Sequence, residues 1–232
     1  MFRPRAVVAV AISYTMFLMP VSGATPAAIG TVTSATSAHV GAVSASTGTT
    51  VFGGDRLTTE QAGSVQVRAG DARFMLSGSS SASLGEANGI PVATLLKGTA
   101  IFSTANAKAF VLHASTAEIR PKDDQPTVGQ VTYINDKEFL VRSTRGSLAI
   151  TVDGETQFVP EATAYHAYLK PDEYLSAHPE AAAAQGPRGV GSRSGGPPLK
   201  AGRSHFLLIA IIVTSVATGV VLYEALQSPD RP

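Results

Sequence analysis

From Ser64 to Leu76 apolar and polar residues alternate strictly. Val65, Val67 and Ala69 are interleaved with Ser64, Gln66 and Arg68, then Gly70-Asp71 interrupts, and Ala72, Phe74 and Leu76 resume the alternation. A period of two is that of a strand with one buried face, and a Gly-led pair between two such runs is a two-residue hairpin turn. With that turn, Ala69 faces Ala72, Val67 faces Phe74 and Val65 faces Leu76. Turn length and alternation then agree in putting every apolar member on one side, so the stretch predicts a hairpin. The same register sets Arg68 opposite Arg73 on the wet side, where like charges weaken a sheet slightly. A solvated face explains that pair, and an acidic partner would explain it too.

A second hairpin is predicted over Gly146–Pro160 (GSLAITVDGETQFVP). Taking Val152-Asp153-Gly154 as the loop, with Gly154 left-handed, sets Leu148 against Phe158 and Ile150 against Thr156. A third, looser unit is VATLLKGTAIF around Gly98, and Ser79-Ser80-Ser81 reads as a polar turn. Further strands are expected at Phe110–Ala114, Glu118–Arg120, Gln130–Ile134 and Glu138–Ser143. Many short strands with frequent turns predict an all-β domain, a sandwich or a solenoid. The related frames of the hairpins favour stacked, solenoid-like units.

Two apolar runs lie outside this pattern. Residues 1–24 combine Arg3 and Arg5, an apolar core from Ala6 to Met19 and the small residues Ser22-Gly23-Ala24, which is the order of a signal peptide. Near the other end, Phe206–Tyr223 (FLLIAIIVTSVATGVVLY) has 18 uncharged residues. As a helix at ~1.5 Å per residue it would cover about 27 Å, close to the ~30 Å of a bilayer core. Residues 205–223 are therefore expected to be a transmembrane helix and 224–232 a short tail. Between the domain at 25–175 and that helix, residues 176–204 (SAHPEAAAAQGPRGVGSRSGGPPLKAGRS) have the Gly, Pro, Ala and Ser composition of a flexible tether. The basic residues Arg188, Arg193, Lys200 and Arg203 before the span oppose an exported domain by the positive-inside bias. The signal peptide is taken to decide, which leaves the β-domain extracytoplasmic, in the periplasm, and tethered to the membrane by a single span.

Composition adds exclusions. The chain has no cysteine, so an exported domain has neither disulfides nor thiol chemistry. Residues 25–175 carry 11 basic and 14 acidic side chains, a mildly acidic balance that gives no support to nucleic-acid binding.

No catalytic constellation stands out. The histidines, His39, His113, His166, His178 and His205, are isolated in sequence, without H-E-x-x-H or H-x-H spacing. There is no G-x-S-x-G elbow, S-x-x-K pair or phosphate loop. Asp123-Asp124 and Asp136 with Glu138 offer oxygen ligands for a cation, but they sit among Lys and Asn in expected loops and read as solvated acids. His113, in FVLHAS, reads as a strand-face residue. No catalytic, cofactor or metal residue is assigned, and the expectation is a non-enzymatic protein without a cofactor.

The run from Gly30 through VFGGDRLTT, SVQVRAGDARFML and LLKGTAIF to FVLHASTAEI resembles the FecR domain. Gly54, Asp55, Leu57 and Thr58 match its first element, Gly70, Asp71 and Leu76 its second, and Gly98 the glycine that breaks its later strand pair. The resemblance covers roughly residues 29–120 and extends weakly to 165. It implies that these positions are scaffold, with Asp55 bonding back to the backbone two residues on, and that the domain works in the cell envelope. The best-known members hold a sigma factor in the cytoplasm through an N-terminal segment before a central membrane helix. Here a signal-peptide pattern stands first and the apolar span last, so only the exported module carries over. The expected function is protein–protein interaction or envelope signalling with an envelope protein partner. A cell-wall or exopolysaccharide glycan is the alternative, disfavoured by the absence of Trp and the presence of only six Tyr, because sugar sites use exposed aromatic faces.

Overall fold

A computed structural model describes residues 27–177 and 205–211. The expected signal segment, most of the tether and residues 212–232 lie outside the described residues. The described chain is almost wholly β: fifteen strands and one short helix. The N-terminal strands are β1 (Ala28–Val40), β2 (Val43–Ser44), β3 (Thr50–Phe52), β4 (Arg56–Ala69), β5 (Ala72–Leu76), β6 (Ser81–Ala87) and β7 (Ile90–Thr104). They are followed by β8 (Val111–Ala114), β9 (Ala117–Pro121), β10 (Thr127–Asn135), β11 (Glu138–Arg145), β12 (Leu148–Val152), β13 (Glu155–Val159) and β14 (Ala164–Tyr168). Helix α1 (Pro171–Ala177) and strand β15 (Leu207–Ile211) complete the order.

Strand β7 organises the sheet. Its first half pairs with β6 and, in parallel, with β8, and its second half pairs with β5 and β10. One arm continues β8-β9-β12-β13 and the other β10-β11-β14-β15. Gly98, at the join of the two halves, has φ +79, and a Cβ there would stand 2.7 Å from the Ser80 Cα. Gly98 thus bends a continuous strand where a third hairpin was expected. Ser80 is buried, not part of an open polar turn: its Oγ accepts from the Thr99 N–H (2.8 Å) and donates to the Thr99 carbonyl (3.2 Å). The arms fold onto one core, in which the Phe110 ring stands 5.7 Å from both Phe74 and Phe102. Leu148 of one arm reaches across to Gly129 of the other, where a Cβ would lie 3.0 Å from its Cδ1. A solenoid unit touches only its neighbours, whereas β7 alone pairs with four strands. Of the two expected all-β arrangements, the sandwich-like one is consistent with this structure.

The first hairpin has the expected register: Val65, Val67 and Ala69 stand opposite Leu76, Phe74 and Ala72, all six fully buried, around Gly70 at φ +58. The second differs by one residue. Asp153 (φ 49) and Gly154 (φ 82) form a two-residue turn, so Leu148 faces Val159, Ile150 faces Gln157, and Phe158 is half exposed. Positive φ at both central residues is the type I′ geometry that matches strand twist, and it displaces a three-residue loop. A one-residue slip moves every side chain of the returning strand to the other face. The other four expected strands correspond to β8, β9, β10 and β11.

The apolar run at Phe206 also departs from expectation. Leu207–Ile211 pair antiparallel along the whole of β14, and Phe206 is fully buried in the main core. An apolar run of this length is ambiguous between strand and helix, and an edge strand offers unpaired backbone groups to an extended neighbour. Among the described residues no helix is long and apolar enough to cross a membrane.

Candidate interaction surface

The residues singled out by the family resemblance are distributed through the scaffold. Gly54 (φ +92) donates its N–H to the Leu84 carbonyl at 2.8 Å, closing the β3–β4 turn onto β6. Asp55 bonds backwards, not forwards: its Oδ2 accepts from the Phe52 N–H at 2.8 Å. Leu57 and Leu76 are fully buried, Thr58 pairs with Ser81 on β6, Gly70-Asp71 turns at the far end of β4, and Gly98 bends β7. They form turns and core, and no common site.

The most distinctive polar arrangement extends the Arg68–Arg73 pair. Arg68 of β4 stands opposite Arg73 of β5, Arg73 opposite Ser103 of β7, Ser103 opposite Val128 of β10, and Val128 opposite Arg145 of β11. The adjacent row on the same face runs Gln66, Met75, Ile101, Gln130 and Arg142. Side chains directly opposite in a ladder share a face, so four arginines project from one side of five neighbouring strands. At ~4.8 Å between strands, the row from Arg68 to Arg145 is about 19 Å long. Neither row contains a carboxylate. Met75, Ile101 and Val128 form a small apolar cluster within it, separate from the main core. Arginine stems are long enough to lie along such a strip. Like charges in register cost a sheet a little, and planar guanidinium groups match carboxylates in two-point contact.

A second polar group lies on the same face, towards β14. His166 Nδ1 is 2.9 Å from the Tyr168 hydroxyl, its Nε2 is 3.4 Å from Glu138 Oε2, and Glu138 Oε1 accepts from Asn135 Nδ2 at 2.9 Å. This links β11 to β14. On the other arm, His113 stands opposite Glu118, which pairs with Arg120. Burial, and then the charge of Arg120, hold the His113 imidazole below its usual pKa. Each acid pair considered as a cation ligand has a member engaged within the protein. Asp124 Oδ1 accepts from the Ala107 N–H at 3.2 Å, and Asp136 accepts from the Tyr133 hydroxyl. That bond, with burial and the Asp136 charge, pushes the Tyr133 pKa up to about 12. Among the described residues no three His, Asp or Glu side chains are grouped to hold a metal ion.

Arg142 and Arg145 were not legible as part of a site, since some 70 positions separate them from Arg73 and only the β5-β7-β10-β11 order joins them.

No protein family and no curated protein matches the chain. Two solved structures of a protein from Parabacteroides distasonis, described as a "putative anti-sigma factor", are similar at 13% identity and a TM-score of 0.41. Each alignment covers 49% of this chain and 54% of the other, so the chain spans about half of that protein's length.

Proposed function

We propose that this chain is a non-enzymatic, membrane-tethered module of the cell envelope, with a FecR-like β-domain outside the cytoplasm that binds an acidic protein partner through its arginine face. The observation that carries the reading is the row Arg68, Arg73 and Arg145 with Arg142 beside it, free of intervening acids. The signal-peptide pattern and the apolar run from Phe206 support the location, and the ordered turns of residues 29–120 support the envelope role. Charge complementarity of this kind raises association rates and excludes wrong partners more than it adds affinity.

The test places a photo-crosslinking residue at Ser103, in the middle of the row, in the full chain within cells. Discrete protein adducts are expected, and Arg68→Glu with Arg73→Glu should abolish them while the chain still accumulates. Saturable binding of the purified chain to cell-wall sacculi, with no protein adduct, would instead favour the cell-wall or exopolysaccharide reading. For location, alkaline phosphatase and a cytoplasm-only fluorescent reporter are fused separately after Gly189. Phosphatase activity without fluorescence is expected, and the reverse would end the proposed topology.

A further inference from the structure

The segment 205–211 is anchored by more than its ladder. All five residues of β15 pair with β14, from Ala164 opposite Ile211 to Tyr168 opposite Leu207. Phe206 is fully buried in the main core, and Leu208 packs against it. Gln157 of β13 donates to the Phe206 carbonyl at 3.0 Å, and the His205 N–H donates to Glu155 Oε2 at 2.6 Å. The segment therefore fills a site made of the β14 edge, a core position for one aromatic ring, and two polar side chains of β13. The 27 residues 178–204 separate it from the rest of the described chain.

The same residues begin the apolar run on which the proposed membrane tether depends. With Phe206 in the core and Leu207–Ile211 in the sheet, only the 12 residues 212–223 remain before Glu224. As a helix they would cover about 18 Å, against a hydrocarbon core of ~30 Å, and extending the helix would carry Glu224 into it. The run can complete the sheet or cross a bilayer, but not both. We infer, resting on the tether reading, that segment 205–211 is a plug released on membrane insertion. Its departure bares the β14 edge as a docking site for an extended apolar strand led by an aromatic residue, the chemistry that fills it in this structure. Strand addition of this type takes its affinity from main-chain bonds and its specificity from side-chain pockets.

The absence of cysteine makes the test direct. Two double variants of the full chain are made, His166→Cys with Ile209→Cys and Tyr165→Cys with Ala210→Cys, both at directly opposed positions. Adjacent rows of an antiparallel ladder alternate in geometry, so one pair is suited to a bridge. Oxidation should give an intramolecular disulfide in the chain kept away from lipid. In chain reconstituted into phosphatidylcholine vesicles and resistant to carbonate extraction, the cross-linked fraction should fall at least tenfold. A fluorescent peptide of sequence HFLLIAI with a lysine tail should bind the reconstituted chain and not the lipid-free one, and replacing its Phe by Ala should remove that binding. Undiminished cross-linking in the carbonate-resistant chain overturns the inference and leaves the tether standing, as does failure of the peptide to bind. Absence of a cross-link in lipid-free chain for both pairs overturns the docked state. Full release by carbonate overturns the tether, and the plug inference with it.

Discussion

Val67 stands directly opposite Phe74 across the Gly70-Asp71 turn, and neither side chain reaches solvent. Phe74 also meets the Phe110 ring at a centroid distance of 5.7 Å, so a local hairpin is keyed to the residue just before β8. Phe74→Ala should cost about 3 to 5 kcal/mol, a large part of the ~5 to 15 kcal/mol typical of a domain. Arg73→Ala, one position away on the wet face, should change stability by no more than about 0.5 kcal/mol. Denaturant melts of the two variants check the difference, and equal costs would show that the inward face is misassigned.

Gly98→Ala should destabilise by more than Gly70→Ala. Both positions have positive φ, which costs an L-residue about 1 to 2 kcal/mol. At Gly70 a Cβ meets nothing within 4 Å, while at Gly98 it runs into Ser80, whose hydroxyl holds both backbone groups of Thr99. Thermal unfolding of the two variants should give the lower Tm for Gly98→Ala.

The register of the second hairpin separates two neighbouring side chains. Val159 is fully buried, whereas Phe158 is 50% exposed with the Lys122 ammonium 5.0 Å from its ring centroid. Val159→Ala should cost about 2 kcal/mol and Phe158→Ala about 1 kcal/mol or less. The opposite order, read from urea midpoints, would restore the three-residue loop.

Acid should destabilise the domain through His113. Its pKa in the fold lies below the ordinary 6.5, chiefly from burial and then from Arg120, so the unfolded chain takes up the proton first. The stability contributed by the neutral imidazole is complete above its ordinary pKa and declines as the pH falls through 6.5 towards the folded value. Opposite it, Glu118 is engaged by Arg120. Lowering the pH from about 8 to about 5 should therefore reduce the Tm of the unmodified protein more than that of His113→Gln. Parallel Tm profiles would show that His113 is not the responsible group.

The alternation from Val65 to Leu76 determined its own register because turn length and buried face agree, and each is a local property of a few residues. The all-β class and the strands around His113, Val131 and Val141 were legible for the same reason. Where two local solutions lay close in energy, the sequence left the choice open. The Asp153-Gly154 turn accepts a two- or three-residue reading, and it is the burial of Val159 in the shared core that decides between them. Gly98 marks a break in either a hairpin or a bent strand, and Ser80, 18 positions earlier, makes it a bend.

Long-range pairing carried the rest. The arginine row exists only because β5, β7, β10 and β11 are neighbours in space, and no period along the chain encodes which strands will be adjacent. Phe206–Ile211 is apolar enough for a membrane and β-branched enough for a sheet. By itself the sequence determined that this run must leave water. Only the tertiary structure, with an open edge on β14 and a place for one more ring in the core, supplied the extended alternative, because hydrophobicity drives burial without specifying where.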